Sequence, residues 1–359
     1  MVRIRTRGEE IRRFILENID QHPTDISKLV ADRFQISRQA VNLHLKRLVA
    51  EHALAPTNGH MRNRSYKLAP LVEWRRVYEI GRGLEEDVVW RTDISLVLGE
   101  QPDNISEIWH YAFTEMFNNA IEHSGGTIIH VGIKKTAVAT EIAIRDNGVG
   151  IFKKIQLAMN FLDERHAVLE LSKGKLTTDP KGHTGEGIFF TSRILDSFDI
   201  LSGGVYFLHR FGQVQDWALE NEELPGTFVW MKLNNHTSRT FKKEADKYVS
   251  EDGDFGFSKT VVPVELARYG NEKLISRSQA KRVLARVDLF KTVMFDFTGV
   301  DTIGQAFADE IFRVFHKEHP DIGLFPINTN AEIKGMIQRV QAAESPLDSM
   351  PMLPFNQGK

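Results

Sequence analysis

Apolar residues recur at helical spacing over the first part of the chain and at alternate positions further on, and this change of period divides it. Residues 10–19 keep a helical period. Asp25 is placed to cap a second helix that ends near Phe34, and Ser37 to cap a third within SRQAVNLHLKRLVAEH. In that third helix Val41, Leu45 and Leu48 fall at i, i+4 and i+7 and make an inward stripe. Gln39, Asn42 and Lys46 then share the outward side, with Arg38 at its N-terminal edge. Asn58-Gly59 follows as a hairpin turn, with Arg62, Arg64 and Lys67 on the return strand.

The next pattern is a long amphipathic helix in ISEIWHYAFTEMFNNAIEHSGG. Trp109, Phe113, Met116, Phe117 and Ala120 form its apolar stripe, while Glu115, Asn119 and His123 sit at i, i+4 and i+8 on another side. A strand pair follows in TIIHVGIKK and TEIAIRDNGVGI, the second strand ending at Asp146. In KGHTGEGIFFTSRIL, Gly185 and Gly187 open another helix, and PGTFVWMKL puts Thr227 at the start of a late strand. Near the C-terminus KTVMFDFTGVDTIGQAFADEIFRVF reads as a buried strand, a turn and an amphipathic helix. There Val293, Phe295 and Phe297 alternate with Met294 and Asp296, and Ala308, Ile311, Phe312 and Phe315 line one helix side.

These patterns predict five segments: a helical module with a hairpin over 1–70, a mixed α/β domain over 71–235, a polar linker over 236–255, a small α/β unit over 256–345 and a Pro-rich tail over 346–359. A length of 359 residues suits two or three cores, and 42% apolar with 26% charged residues is ordinary for a soluble protein. No window approaches the roughly 18 apolar residues of a membrane span, and the Arg-rich start lacks the apolar stretch of a secretory signal. The expectation is a cytoplasmic protein with no membrane contact. The absence of cysteine removes disulfides, thiol catalysis and Cys-based zinc sites, and the 13 His form no HExxH motif.

The net charge of −2 hides an asymmetry: residues 1–70 carry 13 Lys and Arg against 7 Asp and Glu, a net +6, so the remainder carries −8. A basic module on an acidic body suits a polyanionic partner. The three helices and basic hairpin resemble a winged helix-turn-helix domain, which implies double-stranded DNA as partner. Arg38, Gln39, Asn42 and Lys46 would then lie on a recognition helix, and Arg62, Arg64 and Lys67 on the wing. The alternative is a small helical docking domain with a solvated basic face.

The central residue types suit nucleotide chemistry. An Asn carbonyl is a hard oxygen suited to Mg2+, and a carboxylate one turn away can orient or deprotonate a hydroxyl or water. Asp146 can accept a hydrogen bond from an adenine amino group, with Gly148 and Gly150 letting backbone pass close to the base. Glycines at a helix N-terminus let N–H groups converge on phosphate. The Gly182–Gly187 spacing does not fit a Rossmann fingerprint, and no GxxxxGK[ST] loop is present.

In their order, ExxxNAIEH, DNGVGI and GHTGEGI resemble the N-box, G1 box and G2 box of the GHKL superfamily over residues 80–235, nearest the histidine-kinase and anti-sigma-factor-kinase branch. The resemblance implies a GHKL α/β sandwich (Bergerat fold) binding ATP and Mg2+. Asn119 would be the metal ligand, Glu115 the general base, and Asp146 the adenine contact beside Gly148 and Gly150. His123, His183, Thr184, Gly185 and Gly187 would lie at the phosphates, and Thr227 would support the adenine side. Residues 152–184 would form the ATP lid, offering Lys173, Lys175, Lys181 and His183 to phosphate.

The C-terminal pattern resembles STAS domains, and more closely the STAS-like domains fused to GHKL modules, over residues 256–343. Gln305 stands where an anti-anti-sigma factor has its phosphorylated Ser, with Thr298 and Thr302 the nearest hydroxyls, so the expectation there is an interaction or dimerisation domain for a protein partner. The fold class is therefore multidomain α+β. The expected function is an ATP-binding transcriptional regulator, with an anti-sigma-type kinase acting in trans as the alternative. ATPase or kinase activity and a homodimer both stay open.

Overall fold

Ser37 accepts the Ala40 N–H at 3.2 Å and starts the third of three helices at the head of the chain, α1 (Arg7–Asn18), α2 (Ile26–Phe34) and α3 (Arg38–Ala50), in the computed structural model. The structure describes residues 7–57, 65–161, 163–176, 185–212, 217–249, 256–268 and 272–342, with 217–223 described by backbone alone. Ile11, Ile15, Val30, Val41, Leu45 and Leu48 are buried together, so the expected α3 stripe does face inward. Each such side chain contributes roughly 1.5–3 kcal/mol on burial. Asp25 precedes α2 but does not cap it with its side chain, because its carboxylate is taken by His22 Nδ1 at 3.1 Å. β1 (Leu54–Pro56) and β2 (Tyr66–Leu68) pair antiparallel, and the Tyr66 N–H donates to the Pro23 carbonyl, tying the pair to the helices. Asn58, Gly59, Arg62 and Arg64 lie outside the described residues.

The chain falls into two compact units. The first spans residues 1–154, 190–212 and 219–244. Beyond the helical module it contains β3 (Val72–Glu79), α4 (Glu86–Val89), α5 (Ser95–Leu98) and α6 (Asp103–Asn118), which runs on into a π turn at Asn119–His123. β4 (Ile128–Lys135) and β5 (Ala139–Asp146) follow. α7 (Ile151–Met159), α8 (Glu164–Lys173) and α9 (Gly187–Ile194) come between β5 and β6 (Ser197–Arg210). The last elements here are β7 (Trp217–Asn234) and α10 (Phe241–Ala245).

A five-stranded sheet in the order β3-β4-β5-β7-β6 organises this unit, with β3, β4, β5 and β7 successively antiparallel. Its strands alternate as period-2 sequences must. Ile129, Val131 and Ile133 of β4, Ile142 and Ile144 of β5, and Val229, Met231 and Leu233 of β7 are buried. Trp109, Phe113, Met116, Phe117 and Ala120 are buried too, and the Phe117 ring stands edge-on to Tyr78 of β3 at 5.4 Å. β7 begins at Trp217, ten residues before the position expected for it, so Thr227 sits inside a long strand rather than at its start.

The second unit spans residues 155–189, 213–218 and 245–359. Its sheet is parallel, in the order β10-β9-β8, from β8 (Lys259–Pro263), β9 (Thr292–Asp296) and β10 (Gly323–Ile327). α11 (Arg277–Leu284) lies in sequence between β8 and β9. α12 (Gln305–Asp309), a π turn at Glu310–Phe315 and α13 (His316–Glu318) lie between β9 and β10, and α14 (Ala331–Ala342) closes the series. Val293, Phe295, Phe297, Ala308, Ile311 and Phe312 are buried as their spacing requires, while Phe315 is half-buried. α8 belongs to this unit and is buried from Ala167 to Lys173. The chain is thus a mixed α+β protein with several sheets.

Candidate functional site

Strand alternation delivers one carboxylate to an apolar surface. Asp146 continues the buried row of Ile142 and Ile144 on β5 and is only 5% exposed, at the strand's last position. Its Oδ1 accepts the Gly148 N–H at 2.8 Å and the Thr227 N–H at 3.2 Å. Burial pushes its carboxyl above the ordinary carboxylate range, while the bonds from Gly148 and Thr227 pull the other way. Thr227 Oγ1 accepts the Ile151 N–H at 3.0 Å, so the threonine also fixes the start of α7.

The loop after Asp146 is knitted to the end of the α6 π turn. The Val149 N–H donates to the Ser124 carbonyl at 2.9 Å, and Asn147 Oδ1 accepts the N–H groups of Thr127 and Ile128 at 2.8 and 3.1 Å. Ser124 Oγ donates to the Ala120 carbonyl at 2.6 Å and accepts the Gly126 N–H at 2.9 Å. Two glycines are required by close approach. A Cβ on Gly148 would overlap the Ser124 carbonyl, and one on Gly226, whose φ is +78°, would overlap the Asp146 carbonyl. Ser202 Oγ holds the Gly226 carbonyl at 3.1 Å. Gly150 accepts the Lys154 N–H through its carbonyl as α7 begins.

Glu115, Asn119 and His123 are all half-buried. Glu115 and Asn119 are one α turn apart, and the Asn119 N–H donates to the Glu115 carbonyl. A continuous α-helix would put His123 in the same row. Through the π turn each residue rotates less about the axis, so His123 leaves the register that a continuous α-helix would give it. Lys154 Nζ donates to the His123 carbonyl at 2.8 Å, and burial holds its ammonium below the ordinary lysine range.

Asp146, Gly148, Gly150, Thr227, Glu115, Asn119 and His123 all belong to the first unit, whereas Gly185 and Gly187 belong to the second. Gly185 lies against the backbone of Leu176, and Gly187 is the first residue of α9. His183, Thr184 and Lys181 lie outside the described residues. Lys173 is not a solvated phosphate ligand: it is 1% exposed, with Nζ 2.6 Å from Glu170 Oε1 and 2.8 Å from the Ala285 carbonyl. Arg286 Nη1 approaches Glu170 Oε2 at 3.4 Å. Lys175 Nζ donates to the Leu289 carbonyl at 2.9 Å and lies over the Phe290 ring.

Sequence reasoning missed Ser124, Asn147, Lys154, Ser202 and Gly226. Only Asn147 and Gly226 carried a signal, as neighbours of Asp146 and Thr227 in DNGVG and PGT.

On the helical module, Arg38, Gln39, Asn42 and Lys46 are exposed along α3, and Lys67 is exposed on β2. Leu43, in the same exposed stretch, is 68% accessible. In the second unit Gln305 is exposed as the first residue of α12. Thr298 Oγ1 donates to Asp296 Oδ1 at 2.7 Å, and Thr302 is half-buried. Among the described residues no helix is long and apolar enough to cross a membrane, and no group of three or more His, Asp or Glu could hold a metal ion.

Residues 279–334 match the family model of a STAS-like domain of unknown function, DUF4325. The chain therefore carries a C-terminal STAS-like domain. No curated protein matches the sequence.

Proposed function

We propose that this chain is an ATP-binding transcriptional regulator in which Mg-ATP, held by a GHKL-type pocket, biases DNA binding by a winged-helix module or a partner's access to the STAS-like domain. The observation that carries the reading is Asp146. A carboxylate buried at the end of an apolar row, with one oxygen fixed by two backbone N–H groups, is suited to accept the amino group of an adenine resting on that apolar surface. Thr227 and Gly148 hold it in place, and Gly150 borders the same loop.

The donor chemistry fits Mg2+ as well. Asn119 and Glu115 supply hard oxygens one helical turn apart, and Mg2+ keeps much of its shell as water and phosphate oxygen. It therefore does not need a cage of three carboxylates. Asn119 is the proposed ligand, and the metal's contribution when bound is to neutralise phosphate charge. His123 is proposed beside the phosphates. The contributions of His183, Thr184, Gly185 and Gly187 rest on the sequence motifs.

Arg38, Gln39, Asn42, Lys46 and Lys67, all exposed, support double-stranded DNA as the partner, with Arg62 and Arg64 proposed on the wing. ATP can bias DNA binding only through different affinities for two states of the protein, and the coupling must be reciprocal. DNA affinity measured with and without Mg-ATP should shift by the same factor as ATP affinity with and without DNA. DNA affinity that stays constant across Mg-ATP concentrations rejects the regulator.

A kinase acting in trans is the second reading, favoured by the half-buried Glu115 carboxylate one turn from Asn119. Labelled ATP would then leave a phosphorylated partner protein rather than only inorganic phosphate.

A further inference from the structure

The lysines that the GHKL resemblance offers to ATP phosphates are in part committed elsewhere. Lys173 is locked to Glu170 and to the Ala285 carbonyl, and Lys175 is held on the Leu289 carbonyl. Lys154 is differently placed. It belongs to the first unit, one turn into α7 and four residues after Gly150, and its Nζ reaches the His123 carbonyl at 2.8 Å. That carbonyl ends the π turn that begins with Asn119.

A lysine ammonium has three N–H donors. Among the described residues Lys154 uses one of them, on a neutral carbonyl, and no carboxylate pairs with it. A half-buried cation with donors to spare and no counter-charge is an unbalanced arrangement, because desolvating an ammonium costs free energy that a neutral acceptor only partly returns. A phosphate oxygen supplies both the charge and the acceptors, and lysine serves phosphate well as a compact point charge.

We propose that Lys154 is a phosphate-binding residue of the nucleotide site, its ammonium aimed by the His123 carbonyl toward the polyphosphate of ATP. The inference rests on the nucleotide-binding reading above and assigns it a cation outside all three sequence boxes. The competing role is a C-terminal cap on the π turn, in which the lysine satisfies the His123 carbonyl and touches no ligand.

The test is equilibrium binding of ATP, ADP and adenosine to the full chain with Mg2+, for the unmodified protein, Lys154→Gln and Lys154→Arg. Lys154→Gln should weaken ATP about 10- to 100-fold, the span of a charge-assisted hydrogen bond, and change adenosine by less than about twofold. Lys154→Arg should restore part of the ATP affinity, since it keeps the charge. Equal loss for ATP and adenosine assigns Lys154 to the cap and overturns the proposal, as does no change for either. If Lys154→Gln does not fold, Lys154→Arg carries the test alone: its ATP to adenosine affinity ratio must shift from that of the unmodified protein, and an unshifted ratio overturns the proposal. An unmodified protein that binds none of the three rejects the nucleotide reading itself, and this inference with it.

Discussion

Asp146 Oδ1 accepts the backbone N–H of Thr227, a residue 81 positions further along the chain, at 3.2 Å. The bond joins the last residue of β5 to the interior of β7. Together with the Gly148 N–H, it anchors one carboxylate oxygen on two backbone donors.

Asp146→Asn tests what that anchor is for. The amide oxygen can still accept the Gly148 and Thr227 N–H groups, and replacing a carboxyl whose pKa burial has raised removes a charge the fold disfavours. Thermal stability should hold or rise slightly at neutral pH. The amide would turn a donor toward the adenine amino group, so ATP affinity should fall by about 100-fold, equivalent to roughly 3 kcal/mol. Calorimetric melting and ATP titration of the same preparation separate the two effects.

Gly148→Ala should destabilise the first unit by roughly 1–3 kcal/mol, as overpacking does. The new methyl would overlap the Ser124 carbonyl, which also accepts the Val149 N–H. Urea unfolding of Gly148→Ala and Gly81→Ala makes the comparison, since a Cβ on Gly81 meets nothing within 4 Å. Equal midpoints for the two variants would refute the close-approach account.

Glu170 is the centre of a buried ion group in the second unit, 2.6 Å from Lys173 Nζ and 3.4 Å from Arg286 Nη1. Glu170→Gln leaves both cations without their carboxylate and should cost about 3–5 kcal/mol. The double substitution Glu170→Met with Lys173→Met should cost less than that single change, because the pair's own desolvation disappears with it. Denaturant midpoints of the three proteins decide this.

His166 gives the second unit a pH dependence. Burial holds its pKa below the ordinary value of 6.5, with Glu170 and Asp163 opposing and Lys173 and Arg282 reinforcing the shift. The unfolded chain therefore takes up a proton near pH 6.5 that the folded chain resists, so stability is present above that pH and falls as the solution is acidified through it. The melting temperature should drop between pH 7 and 5, and His166→Phe should flatten that slope while keeping the stacking on Phe161, 4.2 Å away in the native ring pair.

Much of the fold was legible because it rests on local periods. The Val41, Leu45 and Leu48 stripe and the strand that ends at Asp146 follow from spacing alone. Asp146 could be recognised from sequence, but its inward direction follows only when the two isoleucines are known to be buried. The π turn at Asn119–His123 was not legible, since a helix of 3.6 period and one with an inserted residue share the same apolar stripe until the register slips. Lys173 was misread because lysine is normally solvated, and its burial depends on Glu170 and on carbonyls more than a hundred residues away. Ser124 and Ser202 act through backbone carbonyls, and no side-chain motif marks such a role.

The central claim is the nucleotide site, and the most direct test is Mg-ATP titration of the full chain beside Asn119→Ala, with folding checked by circular dichroism. The account predicts saturable binding that requires Mg2+ and is lost in the folded Asn119→Ala variant. An unmodified protein that binds no ATP, or binding that persists in Asn119→Ala and without Mg2+, would contradict it.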